Sequence, residues 1–479
     1  MTAKDRHDDI PVLVVDLDGT LIRSDTLYEC FWRALSKSWN TIPLTIGGLM
    51  EGRAVLKQRL AKHADLNAEF LPYNSEVQDY IRAWRDQGGR AVLVTAADQS
   101  LADKVAAFTD LFDEAIGSDG VTNLKGAEKA RLLQERFAKA GYAYMGDSSA
   151  DLPVWEGAKK AIAVNATPTI ERQVKAMPGE SEILNAMRKP PAYLASLRPH
   201  QWLKNILVFL PLMAAQAFEA ITILNAILAF AAFSLVSSSG YVFNDLMDLR
   251  ADRAHPRKSA RPFAAGRVPI AHGTAMVPVL LLGGLILAAM ANWQTFWIIA
   301  LYFLLTTVYS LILKRRAIAD ICTLAGLYTL RIIAGGLATG LGLSVWLLAF
   351  SIFFFFSLAA VKRQAELVDL NARGIATARR RGYTVDDLPM VSQITVASGF
   401  VSVLVLALYL NAPGVQDLYS APWLLWGICL MLLYWISRIA LKAHRGQMDD
   451  DPIVYALRDK TSLVCVAIMI ACAVGAAVL

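Results

Sequence analysis

Cysteine is scarce in this chain: five in 479 residues (Cys30, Cys322, Cys429, Cys465 and Cys472), and no two stand in a CxxC pair. That spacing excludes a disulfide framework and a cysteine zinc site, and leaves buried free thiols. Charge is scarce as well, at 18% of residues against 55% hydrophobic. Such a balance is too apolar for an average soluble protein. The opening stretch MTAKDRHDDI lacks the apolar core of a signal peptide, so the first domain is expected to stay in the cytoplasm. A net charge of +6 does not point to nucleic acid, because the basic residues cluster in loops between apolar runs.

The apolar excess is not uniform. Residues 1–190 read as a soluble domain, and residues 191–479 as a membrane domain. From Trp202 onward, apolar runs of about 17–24 residues recur, each long enough to span a bilayer. Nine spans are expected, near 203–217, 220–241, 274–291, 294–313, 319–340, 345–361, 389–411, 421–439 and 462–478. Lysine and arginine are missing from the short turns near 216–219, 292–294, 340–344 and 411–422. They crowd the alternate loops instead: Arg250 to Arg267, Lys314 to Arg316, Lys362 to Arg381, and Lys442 to Lys460. The positive-inside rule puts those loops in the cytoplasm and the C-terminus outside. The bland reading of Arg315, Arg316, Arg379 and Arg380 is orientation alone.

The sharpest chemical signal is Asn244-Asp245-Leu246-Met247-Asp248-Leu249-Arg250-Ala251-Asp252, at the end of the second span. Carboxylates three and four residues apart share one face of a helix. At a membrane surface they demand a cation, and a hard divalent ion takes oxygen ligands while bridging to phosphates.

In the soluble half, short apolar runs at 11–16, 91–94, 143–145 and 161–164 read as buried parallel strands, separated by helical stretches such as 75–87 and 127–140. Alternation of this kind implies an α/β doubly wound, Rossmann-like sheet with its ligands at the carboxyl ends of the strands. Those ends carry Asp16-Leu17-Asp18-Gly19-Thr20, Thr95 and Gly146-Asp147-Ser148-Ser149-Ala150-Asp151. The stretch 27–74, with Trp32, Leu35, Leu56, Leu60 and Phe70, reads as a small helical cap.

This order of motifs resembles the haloacid dehalogenase (HAD) superfamily of phosphohydrolases. The resemblance implies Asp16 as the nucleophile that forms an aspartyl-phosphate, and Asp18 as general acid/base. It implies Asp147 and Asp151, with Asp16 and Asp18, around Mg2+. Thr95 would bond the phosphoryl oxygens. A lysine is also needed upstream of the last motif, with Lys129 fitting better than its rival Lys125. The bland alternatives are carboxylates that merely cap helices, or a degenerate domain kept as a scaffold.

The membrane half resembles the UbiA superfamily of intramembrane prenyltransferases, and within it the decaprenyl-phosphate phosphoribosyltransferases. The matching residues are Leu197-Arg198-Pro199-His200-Gln201-Trp202-Leu203-Lys204-Asn205, Tyr309-Ser310-Leu311 with Lys314 and Asp320, Leu330-Arg331 with Ala334-Gly335-Gly336, and Lys362-Arg363 with Glu366. The resemblance implies an all-α domain of nine transmembrane helices. Asp245, Asp248 and Asp252 would hold Mg2+ on the diphosphate of 5-phosphoribosyl 1-diphosphate (PRPP). Lys204, Asn244, Tyr309, Lys314, Asp320, Arg331, Lys362 and Arg363 would bind substrate, and a polyprenyl phosphate in the bilayer would accept the phosphoribosyl group. A second DxxxD would need a carboxylate at 324, where the chain has Leu324. The HAD domain would then remove the 5-phosphate, giving polyprenyl-phosphoryl ribose for cell-envelope sugar assembly. The competing expectation is a UbiA enzyme that moves a prenyl group from its diphosphate to an aromatic ring such as hydroxybenzoate, beside a phosphatase of separate substrate. A transporter or a bare membrane anchor is the non-enzymatic alternative.

Overall fold

The computed structural model describes residues 12–137, 139–185, 192–374, 382–412, 419–448 and 452–478. Pro11 and the basic residues Arg379, Arg380 and Arg381 lie outside them. The chain divides into two compact units: Met1–Leu197 with Tyr241–Pro278, and Arg198–Gly240 with Val279–Leu479. The segment that carries the N-D-x-x-D-x-x-x-D motif therefore belongs to the compact unit of the soluble half.

That first unit is built on a six-stranded sheet of order β3-β2-β1-β4-β5-β6. The strands are β1 (Val12–Val15), β2 (Ala91–Asp98), β3 (Glu114–Ser118), β4 (Tyr142–Gly146), β5 (Lys160–Val164) and β6 (Glu180–Leu184). Every pairing is parallel. Side chains alternate across a strand, so Leu13, Val15, Leu93 and Met145 pack on one face while Val12, Val14, Val92 and Tyr144 pack on the other. Strand order reverses between β1 and β4, and the crevice at such a switch point is where doubly wound sheets bind ligands. The four strands expected from sequence are all present. The two additional ones, β3 and β6, lack an apolar run, reading EAIGS and ESEIL. Both lie at sheet edges, where half-exposed strands tolerate polar residues.

The stretch after β1 folds into α1 (Thr26–Lys37), α2 (Thr41–Glu51) and α3 (Arg53–Ala64). Asp25 caps α1 by accepting from Leu27 N, a stabilising N-cap. Cys30, Ala34, Leu56 and Leu60 bury their side chains in the same core as Leu13 and Val15. The helical insert is thus as expected.

Among the described residues, eight helices are long and apolar enough to cross a membrane: Ala220–Met247, Ile270–Ala291, Trp293–Arg315, Ala319–Thr339, Val345–Ala372, Val385–Leu410, Pro422–His444 and Lys460–Val478. The first of the nine expected spans is not among them. Its residues form 3-10 turns over Pro199–Phe209 and a short helix, Leu210–Ala214. Pro211 has no N–H to continue an α-helical ladder, and Gln216 ends the segment with φ 52°. The second unit closes around Val208, Phe233, Ile299, Tyr302 and Leu327 in one cluster and Ile332, Phe355, Trp435 and Ile439 in another.

Candidate functional site

Two sets of carboxylates need separate accounts. In the first unit, Asp16 ends β1 and Asp147 follows β4, so parallel pairing of the two strands brings both to the switch point. Asp16, Asp147 and Asp151 offer oxygens that all lie within 4.8 Å of one another. Gly19 makes this approach possible: it has φ +76°, and a Cβ there would stand 2.2 Å from an Asp147 carboxylate oxygen. Asp18 stands outside the trio, its oxygens accepting from Thr26 N at 2.8 Å and Thr26 Oγ1 at 3.0 Å. Thr95 is fully buried, and its Oγ1 accepts from Ala97 N at 3.0 Å. The neighbouring Ala96 lines the cavity instead.

Lys129, on the helix Ala127–Phe137, is nearly inaccessible. Its Nζ lies 2.9 Å from Asp16 Oδ1, 4.0 Å from Asp151 and 2.9 Å from the Tyr144 hydroxyl. Lys125 also lines the cavity, but Lys129 is the lysine in contact with Asp16. Leu17 N donates to the same Oδ1 at 2.9 Å, so neither contact engages Oδ2. Asp151 is fixed by donors: Tyr144 Oη at 2.6 Å, Ser148 N at 3.1 Å, Ser148 Oγ at 3.1 Å and Asp147 N at 3.3 Å.

Burial pushes the Asp147 carboxyl up to about 8, reinforced by the charges of Asp16 and Asp151. Burial, with Asp25 and Asp16 nearby, pushes Asp18 up to about 8. Burial raises Asp16 as well, against the pull of Lys129. Several buried carboxylates facing one lysine are short of positive charge, and a hard divalent cation with oxygen ligands is the group that fits.

The second set centres on Asp245 and Asp252, both buried, with Asp248 half-buried between them. Asp248 N bonds Asn244 O, and Asp252 N bonds Asp248 O, so the helical path runs on past Met247. Arg261 Nη1 reaches Asp252 at 2.7 Å and Asp245 at 3.2 Å. The two carboxylates do share a face, and a guanidinium stands between them. Among the described residues the three carboxylates of this motif do not converge as the Asp16 trio does.

In the second unit, Tyr309, Asp320 and Arg363 come together. Tyr309 Oη donates to Asp320 at 2.8 Å, and Arg363 bonds Asp320 through two nitrogens and Glu366 through a third. Arg331 is held by Asn205 Oδ1 at 2.9 Å, Tyr302 Oη at 2.9 Å and Leu327 O at 2.6 Å. Lys204 lies over the Tyr328 ring at 5.8 Å, while Lys314 and Lys362 are half-buried.

Sequence reasoning missed Arg261, which looks like every other arginine of its loop. It also missed Tyr144, whose hydroxyl links Lys129 to Asp151 from an apolar strand.

Known proteins match in the same two parts. The UbiA prenyltransferase family matches residues 205–458, and the haloacid dehalogenase-like hydrolases match residues 13–156. The uncharacterized protein y4nM of Sinorhizobium fredii is 40% identical over 454 residues, 94% of this chain and 88% of its own length. Nodulation protein NoeC of Azorhizobium caulinodans is 37% identical over 274 residues, 57% of this chain and 89% of its own. Decaprenyl-phosphate phosphoribosyltransferase of Mycobacterium tuberculosis is 32% identical over 305 residues, 61% of this chain and 98% of its own. With eight apolar helices among the described residues, the chain therefore belongs to the UbiA prenyltransferase family as an integral membrane transferase, and carries a haloacid dehalogenase-like hydrolase domain ahead of the membrane part.

Proposed function

We propose that this protein transfers phosphoribose from PRPP to a polyprenyl phosphate, and that its HAD domain then removes the 5-phosphate to leave polyprenyl-phosphoryl ribose. The observation that carries the first step is the similarity to decaprenyl-phosphate phosphoribosyltransferase along 98% of that relative. The phosphatase step rests on the contact of Lys129 with Asp16 beside Asp147 and Asp151.

In the transfer, an oxygen of the lipid phosphate attacks C1 of the ribose and the C1–O bond to diphosphate breaks. The acceptor is already an anion, so no strong base is needed. Asp245, Asp248 and Asp252 would hold Mg2+, which supplies neutralising charge for the leaving diphosphate. Asn244, Lys204, Tyr309, Lys314, Asp320, Arg331, Lys362 and Arg363 are assigned to substrate binding. Arg331 and Arg363 already hold protein partners, so their part is to shape and charge the pocket.

In the hydrolysis, Asp16 Oδ2 attacks phosphorus, the P–O bond to the ribose breaks, and Asp18 gives the leaving oxygen its proton. Water then attacks the aspartyl-phosphate, and Asp18 takes a proton back. Burial raises the Asp18 carboxyl to about 8, which favours the protonated form that the first of these steps requires. Lys129 compensates charge on Asp16. Mg2+ held by Asp147 and Asp151 would offset the charge of the approaching phosphate, and Thr95 positions the strand end beside it.

The domains are assigned as 1–190 and 191–479, with a ninth crossing through 199–214. Rises of about 2.0 Å per 3-10 residue and 1.5 Å per α-helical residue give that segment about 30 Å, the thickness of the hydrocarbon core. Nine crossings place the HAD domain and the basic loops in the cytoplasm and the C-terminus outside.

The test is a mass-resolved lipid assay with PRPP, polyprenyl phosphate and Mg2+. Wild type yields polyprenyl-phosphoryl ribose, and Asp16→Asn stops at its 5-phosphate. Absence of ribosylated lipid from both proteins refutes the transfer step.

A further inference from the structure

The cavity over Asp16 is not made by the HAD fold alone. It measures about 960 Å3, and its wall includes Gly266 and Arg267 from the loop that follows the N-D-x-x-D-x-x-x-D motif and His272 from the first turn of the helix Ile270–Ala291. That volume falls in the range that holds a whole small-molecule ligand, far more than one phosphoryl group needs.

The stretch from Gly266 to Thr274 is fastened to Arg23, Trp32 and Tyr193 of the same compact unit. Gly266, with φ +66°, sits against Arg23, where a Cβ would stand 2.9 Å from the Arg23 carbonyl oxygen. Tyr193 Oη lies 2.7 Å from His272 Nδ1, and the two rings stack. Trp32 Nε1 donates to Thr274 Oγ1 at 2.9 Å. Gly266 sits against Arg23, and the next residue, Arg267, lines the same cavity. The carboxylate trio and Lys129 meet at the strand ends, and Arg23, Arg267 and His272 line the same cavity from outside that cluster.

We infer that Arg267 and Arg23 form a second anion subsite, which makes the phosphatase select a pentose 5-phosphate that also carries a phosphodiester at C1. Guanidinium groups bind phosphate oxygens through paired, charge-assisted hydrogen bonds. The transferase loop thereby sets the specificity of the phosphatase. The inference rests on the phosphatase reading above for the identity of the leaving phosphate. The place of Arg23 and Arg267 in the cavity wall stands on geometry alone.

The experiment uses the full-length protein in detergent with Mg2+ and three probes: ribose 5-phosphate, methyl-phosphoryl ribose 5-phosphate and farnesyl-phosphoryl ribose 5-phosphate. Phosphate release gives kcat/KM for each. Both diesters are expected to exceed ribose 5-phosphate by at least about tenfold, the gain of one charge-assisted hydrogen bond. Arg267→Ala should collapse that ratio toward one, and Arg267→Lys should restore part of it. Binding of the same probes to Asp16→Asn and to Asp16→Asn/Arg267→Ala gives the ratio without turnover. If wild type releases no phosphate from any of the three probes while Asp16→Asn keeps the binding preference, the phosphatase reading is refuted and the subsite stands. The subsite is overturned if wild type handles ribose 5-phosphate and the methyl diester alike, or if only the farnesyl probe is favoured. An unchanged ratio in Arg267→Ala overturns it equally.

Discussion

Arg253 grips Glu29 with two hydrogen bonds, Nη2 to Oε1 at 2.6 Å and Nη1 to Oε2 at 3.0 Å. The side chains are only 9% and 3% exposed. Glu29 lies on α1, and Arg253 directly follows Asp252. The pair ties the HAD insert to the segment carrying the acidic motif. Further contacts complete it: Ser24 Oγ donates to Glu29 at 2.6 Å, and Arg253 also donates to Phe70 O and Ala264 O. Removing one member of a buried pair leaves the other charge uncompensated, at a cost of about 3–5 kcal/mol. Arg253→Ala should therefore lower the melting temperature in detergent and expose 253–270 to protease. Glu29→Gln should do the same. Melting curves and digestion patterns like those of wild type would show that the pair holds nothing together.

The two candidate lysines make opposite predictions. Lys129 touches Asp16, whereas Lys125 only lines the cavity. Losing a preorganised positive donor at a reacting centre costs about 100- to 1000-fold in kcat. Lys129→Met should lose phosphate release on that scale, and Lys125→Met should change it by a few-fold. Rates measured with ribose 5-phosphate decide between them, and a larger loss from Lys125→Met would reverse the assignment.

Proton release should accompany metal binding at the HAD site. Without metal, Asp147 and Asp18 are both raised to about 8, above the ordinary carboxylate range. A carboxyl raised on folding favours the protonated fold. Its contribution to stability is complete below about pH 4. That contribution is lost as pH rises through about 8. Mg2+ has the opposite preference because it needs the carboxylate. Its affinity should climb from pH 6 to about 8 and then level off. Calorimetric titration in buffers of different ionisation heat would count the protons released, with Asp147→Asn as the control. Affinity that is flat over this range would contradict the prediction.

Legibility followed burial. β1 and β4 show in the sequence because VLVV and AYMG are wholly interior and end directly at acids. β3 and β6 do not, because an edge strand such as ESEIL pairs with β5 along its length but contributes only Ile183 and Leu184 to the cores. The meeting of Asp16 with Asp147 and Asp151, and the shared face of Asp245 and Asp252, could be read in advance from spacing and position at element ends. Their partners could not. Arg250, Arg253, Arg261 and Arg267 read identically as a basic loop. Folding sends Arg253 to Glu29, Arg261 to Asp245 and Asp252, Arg250 over the Phe70 ring and Arg267 to the HAD cavity. That sorting depends on contacts far apart in sequence.

Arg261 leads to the last prediction. Its guanidinium spans Asp252 and Asp245 at 2.7 and 3.2 Å, which is where a cation on a donor diphosphate must sit if these carboxylates hold it. Arginine and metal ion therefore compete for the same oxygens. A donor bringing its cation there would displace Arg261, and a diphosphate oxygen would offer the guanidinium a new anionic partner. Arg261→Gln should then move two constants in opposite directions. The Mg2+ concentration for half-maximal transfer should fall, because no fixed charge has to be displaced. The KM for the diphosphate donor should rise about tenfold or more, because a charge-assisted bond to it is lost. Transfer assays that vary donor and Mg2+ independently give both constants. If the two rise together, Arg261 only supports the fold of the loop; if neither moves, it has no part in binding the donor.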